Sequence, residues 1–212
     1  LSLNSLAGLL QDTGDYAMAR PLMERALKID EQAYGQLHPD VATDLNNLAA
    51  LLYATGDYAG ARPLYERALK IREQALGPMH PDVAASLNNL AELLRATGDY
   101  AEARPLYERA LRISEQALGP THPDVATSLH NLALLLHVTR DYAGARLLEE
   151  RALNIFEQAR GPEHTDVAVS LNSLARLLQD TGDYAGARRL HERALRIKEQ
   201  ALGLTHPDVA WS

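Results

Sequence analysis

The strongest feature of the sequence is a pattern that recurs every 42 residues along the 212-residue chain. Its copies contain the segments LNNLA, TGDY, RAL and HPDV with small changes. The positions that hold the same residue in all five copies include a tyrosine and a histidine: Tyr16, Tyr58, Tyr100, Tyr142 and Tyr184, and His38, His80, His122, His164 and His206. A fixed period of this length is typical of stacked repeats, which bury apolar surface only against their neighbours. The pattern therefore predicts a repeat architecture and favours an extended binding surface over a catalytic pocket.

The period divides the chain into units of roughly 1–37, 38–79, 80–121, 122–163 and 164–205, with a partial unit at 206–212. Because a stacked repeat has one continuous core at any length, we expect a single domain over residues 1–212. The sequence starts and stops in the middle of the pattern, so we expect it to be a fragment of a longer array.

The composition is that of an ordinary folded protein, with 46% hydrophobic and 23% charged residues. A net charge of −7 argues against nucleic acid as a partner, because phosphate binding needs an excess of Lys and Arg. The chain has no cysteine, which excludes disulfides and thiolate metal sites. No apolar run approaches the ~18 residues of a membrane span, and no signal peptide pattern is present. We therefore expect a cytoplasmic protein without a membrane partner.

Each unit is predicted to contain two helices, here called helix A and helix B. In the second unit Pro39 and Asp40 suit the first turn of helix A, and Gly56 suits its end. Between them, apolar residues follow at helical spacing: Leu45, Leu48 and Leu52. We expect about 16 residues in helix A and about 19 in helix B, joined by a tight turn.

Helix B is expected to start at an aspartate cap and to end at a glycine. Asp57 is the candidate cap in the second unit, and Asp99 with Glu102 has the spacing of a capping box in the third. Prolines fall inside helix B of the first three units, at Pro21, Pro63 and Pro105, and are replaced by Leu147 and Arg189 in the last two. Because an interior proline usually kinks a helix, we expect bent B helices in the first three units only.

Several positions of the second unit resemble the tetratricopeptide repeat: Leu48, Ala49, Leu52, Gly56, Tyr58, Ala61, Tyr65 and Ala68. The usual period of that family is 34 residues. The longer form here, with HPDVA, LNNLA, GDY and RALxI, is similar to the repeats of kinesin light chains and related bacterial proteins. The resemblance implies an all-α fold, a right-handed α-solenoid of antiparallel helix pairs. It also implies that the A helices line a concave groove that takes a peptide.

One face of helix A is polar and varies between units. At about 100° per residue, Thr43, Asn47, Ala50 and Ala54 fall within a sector roughly 60° wide, opposite the apolar stripe. Asn46 and Tyr53 flank this sector. The variable copies of Ala50 and Tyr53 include Glu92, Leu134 and Arg176, and Arg95, His137 and Gln179. Such variation is expected of a groove that recognises different groups along its length, although drift on a solvated face would give the same pattern.

Asparagines repeat on the same face in two rows: Asn47, Asn89 and Asn131, and Asn46, Asn88 and Asn172. A carboxamide both donates and accepts hydrogen bonds, so it can bind a peptide backbone regardless of side chains. The resemblance implies this role for Asn47 and its equivalents. The alternative is that one asparagine of each pair bonds to a neighbouring helix and holds the stack. The predicted peptide-binding residues are Asn47, Asn89, Asn131, Asn46, Asn88, Asn172, Tyr53, Glu92, Arg95, His137 and Arg176.

Neither a metal site nor a catalytic site is predicted. The five repeated histidines lie one per unit, on the order of 10 Å apart, which is too far to share an ion held at ~2 Å. We expect them to pack or to form hydrogen bonds in the loop before helix A. The repeated Glu66–Arg67 pairs are expected to form salt bridges between helices. Since no nucleophile–base pattern or phosphate-binding loop is present, we expect no enzyme activity, no cofactor and no metal.

The sequence favours a protein-interaction scaffold that binds a peptide segment of a partner in the groove of the A helices. One alternative is a structural spacer or self-associating rod. Trp211 and Ser212 stand in the same register as Leu1 and Ser2, so unfinished faces at the two ends would favour end-to-end or dimeric association. A further alternative is a sensor or regulatory array of a larger multidomain protein.

Overall fold

The structure is a computed structural model that describes residues 2–203, and every regular element in that range is an α-helix. In chain order these are α1 (Leu3–Asp12), α2 (Tyr16–Tyr34), α3 (Pro39–Ala54), α4 (Tyr58–Leu76), α5 (Pro81–Thr97), α6 (Tyr100–Leu118), α7 (Pro123–Val138), α8 (Tyr142–Arg160), α9 (Thr165–Asp180) and α10 (Tyr184–Leu202). None of these helices has the length and hydropathy of a membrane span. The partial unit 206–212, with His206 and Trp211, lies outside the described residues, as does Leu1.

The predicted alternation of a shorter and a longer helix is confirmed. The A helices α3, α5, α7 and α9 have 16 or 17 residues, and every B helix has 19. Consecutive helices pack against each other, as α3 does on α4 and α7 on α8. The chain divides after Ile113 into two compact units, called here the first and second half, and each is described by itself. The single domain expected from the sequence stays a prediction.

The core of each half is built from small and branched apolar residues at the predicted positions. In the first half one cluster joins Val41, Ala42, Leu45, Ala68 and Ile71, all at most 1% exposed. In the second half a cluster joins Ala133, Leu136, Ala145, Leu174 and Leu177. Fully burying one leucine stabilises the fold by about 1.5–3 kcal/mol. The apolar stripe of helix A therefore drives the pairing with helix B.

The repeated histidines cap the A helices, which confirms their predicted role in hydrogen bonding. In α3, Nδ1 of His38 accepts a hydrogen bond from the backbone N–H of Asp40 at 3.2 Å, and Pro39 occupies the first helical position. The same geometry recurs at His80, His122 and His164. A ring nitrogen that accepts this bond carries no proton, so the bond requires the tautomer protonated at Nε2.

The tight turn between helices A and B requires a left-handed residue. Gly56 adopts φ +82°, and Asp57 then caps α4 by accepting from the N–H of Gly60 at 2.9 Å. Both predictions for this turn are confirmed. The exception among the described turns is Arg140, which adopts φ 65° where the other copies have glycine. A side chain in this region is strained because its Cβ approaches the backbone.

The predicted capping box at the start of α6 is wrong. The Asp99 carboxylate accepts a hydrogen bond from the Thr97 hydroxyl at 2.7 Å instead of from Glu102. The backbone N–H of Glu102 donates to the main-chain oxygen of Asp99 at 3.1 Å. The Glu102 carboxylate pairs with Arg62 of α4 at 2.9 Å. Both side chains of the predicted box thus bind other partners.

The prolines do not interrupt the B helices. Pro63 is the sixth residue of α4, which continues to Leu76 and has the same length as α8, where Leu147 takes its place. The predicted difference in bending between these helices stays a prediction.

Salt bridges join successive B helices, as predicted for the Glu66–Arg67 copies. Within the first half Arg67 pairs with Glu31 at 2.6 Å, and within the second half Arg151 pairs with Glu115 at 2.6 Å. The glutamates of the repeated pair bind within their own helix, as Glu66 does with Arg62 at 2.9 Å. The arginine of each pair therefore carries the contact between helices.

Candidate functional site

The predicted peptide-binding residues all lie on the A helices. Ten of them are half-buried and Arg176 is exposed. In the first half Nδ2 of Asn89 donates to Oδ1 of Asn46 at 2.8 Å, which joins α5 to α3. This contact confirms the alternative role for Asn46, in which an asparagine holds neighbouring helices together. It also engages Asn89, whose carbonyl oxygen and second N–H stay available.

Two asparagines of the predicted row keep their whole side-chain amide available. Asn47 of α3 and Asn131 of α7 are half-buried and have no hydrogen-bond partner within residues 2–203. Asn172 of α9 instead accepts from Nδ1 of His191 in α10 at 2.8 Å. Asn88 lies half-buried in the register of Asn46. The two rows are therefore divided between amides that hold helices together and amides without a hydrogen-bond partner among the described residues.

Tyr53, Glu92 and Arg95 form one network in the first half. The Glu92 carboxylate accepts from the Tyr53 hydroxyl at 3.0 Å, from the Tyr107 hydroxyl at 2.9 Å and from Nε of Arg95 at 2.8 Å. These donors come from α3, α6 and α5. Sequence reasoning identified three members and missed Tyr107, which is fully buried in helix B. Its signal was a repeat position that holds Met23 in the first unit and side chains able to form hydrogen bonds in the others, such as Tyr65 and Glu149.

The charges of this network compensate each other. Burial would raise the pKa of Glu92, but the hydrogen bonds and charge of Arg95 and the two phenols lower it overall. Burial, followed by the Glu92 charge, raises the pKa of Tyr53 to about 12. The Arg95 side chain is 24% exposed and that of Glu92 is 31% exposed. The face therefore presents a neutralised ion pair to solvent, and not a free cation.

The second half carries a different set of polar contacts at equivalent positions. Nδ1 of His130 lies 2.9 Å from Oε1 and 3.0 Å from Oε2 of Glu149, which is fully buried in α8. His137 of α7 pairs with Asp180 of α9. The two histidines thus bind carboxylates on different helices. Sequence reasoning also missed Glu149. This residue stands at the position that Tyr107 occupies one repeat earlier.

A small cavity lies beside these contacts on the face of α7 and α9. It encloses about 10 Å³, which is room for about one water molecule. The residues that line it are Ala133, Leu134, His137, Glu149, Ser173, Arg176 and Leu177. Arg176 has no ion pair in the described part of the chain. This face of the second half therefore combines an unpaired cation, a free amide at Asn131 and a small cavity with both polar and apolar walls.

A buried carboxyl group that the sequence did not reveal lies in the first half. Asp44 of α3 is 3% exposed and stands where Ser86, Ser128 and Ser170 stand in other units. Asn4 donates to its Oδ1 at 2.7 Å, and Asp30 of α2 faces it. Burial raises the pKa of Asp44 to about 6; the Asn4 hydrogen bond opposes this and the Asp30 charge adds to it.

Residues 2–203 contain no group of three or more His, Cys, Asp or Glu side chains that could hold a metal ion. The number of histidines in the sequence could suggest a metal site, but the capping histidines have another role. Each of the four described copies binds a backbone N–H of its own helix through Nδ1.

Helix pairs with a period of 42 residues and a polar A-helix face in each half define an α-helical repeat protein. One family model of the tetratricopeptide repeat matches residues 1–74, 45–116 and 82–158, and a second model of this repeat matches residues 167–208. The chain belongs to the tetratricopeptide repeat family. The comparison with proteins of curated function gave no significant match.

Solved structures confirm the fold and the kinesin-light-chain-like type. BtubC (BKLC) from P. vanneervenii is 28% identical, with a TM-score of 0.80 over 97% of this chain and 81% of that protein. A Podosopora anserina putative kinesin light chain with nearly identical TPR-like repeats is 28% identical, with a TM-score of 0.76 and 95% coverage of both chains. The apo form of RapI, at 16% identity, has a TM-score of 0.77 over 94% of this chain and 70% of its own and shares the fold.

Proposed function

We propose that the chain is a non-catalytic protein-interaction scaffold whose A helices bind a peptide segment of a partner protein. Membership of the tetratricopeptide repeat family supports a role in protein interaction in general. The observation that carries the finer proposal is the state of Asn47 and Asn131. Both amides are half-buried on the polar face and lack a partner among residues 2–203, while their neighbours are hydrogen-bonded.

A half-buried amide without a partner gains free energy when a ligand supplies its missing hydrogen bonds. A peptide backbone offers one donor and one acceptor per residue, which matches a carboxamide. The side chains around each amide would then select the sequence. On the A-helix face of the first half the Glu92–Arg95 pair is already neutralised, so an uncharged segment fits best there. On that of the second half the cation of Arg176 suits a segment with an acidic residue.

The test begins by capturing binding segments from a library of peptides displayed on phage, with the intact chain as bait. Affinities of the captured peptides are then measured for wild type, Asn47→Ala, Asn131→Ala and the double variant. We expect each substitution to weaken binding about tenfold for the peptide that uses it, the loss of about one good hydrogen bond. Exposed Gln74 in α4 provides the control, since Gln74→Ala should leave every affinity unchanged.

Equal affinities of wild type and the double variant for all captured peptides would contradict the proposal, provided that circular dichroism shows both to be folded. The cytoplasmic location and the lack of nucleic-acid and membrane partners stay predictions. The spacer or self-associating rod and the regulatory array also stay open. Sedimentation over a range of concentrations tests self-association, which a monomer at every concentration would exclude.

A further inference from the structure

An ion pair closes the space between successive B helices in the first half. The Arg62 guanidinium of α4 uses Nε to bind Glu66 of its own helix and Nη2 to bind Glu102 of α6, each at 2.9 Å. The carboxylate of Glu102 therefore occupies the position beside Nη2 of this arginine. Since both partners are well exposed, the pair contributes little stability, but it shows which group fits there.

The second half has the same arginine but lacks the carboxylate. Arg146 of α8 binds Glu150 through Nε at 2.7 Å, as Arg62 binds Glu66. The residue equivalent to Glu102 is Gly186 of α10, which has no side chain to offer. Within the described residues the Glu150 contact is the one ion pair of Arg146.

A cavity of about 390 Å³ lies at this place, between α8, α9 and α10. Four leucines contribute to its wall: Leu153, Leu174, Leu178 and Leu190. Arg146, Glu150, Asp183, Gly186 and Arg189 complete the lining. None of the residues predicted for the A-helix groove is among them. A cavity of this volume is large enough for one or two side chains of a bound protein segment.

The cavity lining carries two arginines and two acids, and one of the two arginines is left without an ion pair in the part of the chain that the structure describes. Glu150 is engaged by Arg146, and Asp183 accepts from the backbone N–H of Gly186 at 2.8 Å. Arg189 has no ion pair among residues 2–203. It replaces the proline found at Pro63 and its copies, so it adds a cation that the first three units lack. Helix α10 as a whole carries five Lys or Arg and two Glu.

We propose that this α8–α10 cavity binds a short segment of a partner protein that presents a large apolar side chain next to an Asp or Glu. The apolar side chain enters the space between the leucines. The carboxylate takes the position that Glu102 occupies in the first half and binds the guanidinium groups of Arg146 and Arg189. This surface is separate from the A-helix groove, so the chain can hold two partner segments at once.

The test uses phage display of random 12-residue peptides against the full chain, with the Arg146→Gln, Arg189→Gln double variant as counter-selection. Both arginines are exposed, so we expect the double variant to keep the fold. Arg188→Gln with Arg196→Gln is the matched control, because it removes the same charge from exposed positions outside the cavity lining. Synthetic copies of the enriched peptides are then titrated against all three proteins.

We expect enriched peptides with Asp or Glu beside Leu, Ile, Phe or Met. Their binding should weaken about tenfold or more in the double variant, remain unchanged in the control and weaken similarly when the acid is replaced by its amide. Gly186→Glu, which supplies an internal carboxylate, should compete with the peptide and weaken its binding. Because a Cβ there would press against the Asp183 carboxylate, that variant is used only if it is folded.

Three results would overturn the proposal. The first is an absence of peptides enriched over counter-selection, and the second is enrichment of peptides without an acidic residue. The third is self-association of the wild type that the double variant abolishes in sedimentation, because the occupant would then be a second copy of this chain.

Discussion

The imidazole of His130 lies 2.9 Å from the carboxylate of Glu149, and these two residues are each other's polar partner in the second half. The Glu149 side chain is 1% exposed and that of His130 is 15% exposed, so the contact is largely shielded from water. One repeat earlier the same two positions hold Asn88 and Tyr107. Both residues of the pair thus differ between these two repeats.

Replacing His130 with Asn should destabilise the chain by about 3 kcal/mol, because it leaves a buried carboxylate without its partner. Adding Glu149→Tyr, the residue found at 107, should recover most of that loss. The free energies of unfolding from urea titrations form a double-mutant cycle. The expectation is wrong if His130→Asn alone changes stability by less than about 0.5 kcal/mol, the size of a surface effect.

Glu92→Gln should lower the pKa of Tyr53, which is raised to about 12 in the native protein. Part of this rise comes from the negative charge of Glu92, and the amide removes that charge while keeping the shape. The phenolate absorbance of Tyr53, isolated with a Tyr53→Phe difference spectrum, gives the measurement. Glu66→Gln, an exposed glutamate in α4, is the control; a Tyr53 titration that is the same in both variants contradicts the network.

Asp44 should make the protein less stable as pH rises through about 6. Its pKa is raised to about 6 from an ordinary 3.8, so the native state holds a proton that the unfolded state has lost. The stabilisation is complete below pH 3.8 and is lost as pH rises through 6; the difference is at most about 3 kcal/mol.

Asp44→Ser, which copies Ser86 and Ser170, should remove this pH dependence and raise stability at pH 8. Asp44→Asn keeps a hydrogen-bonding group of the same size and should flatten the profile as well. The measurement is the urea midpoint of all three proteins between pH 4 and pH 8. Parallel profiles for wild type and both variants would show that Asp44 does not carry the effect.

Arg140→Gly should stabilise the chain by about 0.5–1 kcal/mol, because arginine is strained at φ 65° and glycine is not. Part of this stabilisation is offset, because glycine increases the conformational entropy of the unfolded chain. Gly182 adopts φ +88° at the same turn of the next repeat, so Gly182→Arg is the mirrored control and should destabilise. A loss of stability in Arg140→Gly would mean that the arginine side chain makes a compensating contact.

The helices and their caps were predictable because they depend on residues close in sequence and are repeated several times. Pro39, Gly56 and Asp57 illustrate this, since each acts on the helix end beside it. The capping box at Asp99 failed because distant Arg62 attracts the Glu102 carboxylate. Local spacing cannot show such competition.

The predicted site residues were found from periodicity, which gives the face of a helix but not the partner of a side chain. Tyr53, Glu92 and Arg95 proved to be one network, whereas Asn89 proved to be partly engaged with Asn46. Buried polar groups such as Asp44 escaped notice because a single acid at a position that holds serine in the other units resembles chance variation. The role of Asp44 becomes visible in the structure, where Asn4 donates a hydrogen bond to its carboxyl group.

Two polar contacts between successive A helices join residues of different types: Tyr53 binds Glu92 in the first half, and His137 binds Asp180 in the second. Within each half, the two hairpins joined by such a contact are consequently matched to each other, even though the hairpins share one apolar pattern. Exchanging two hairpins by recombination would preserve the hydrophobic core. It would, however, separate the side chains of these polar contacts from their hydrogen-bond partners. The polar contacts therefore favour one order of the hairpins within each half, although the hairpins are similar in sequence.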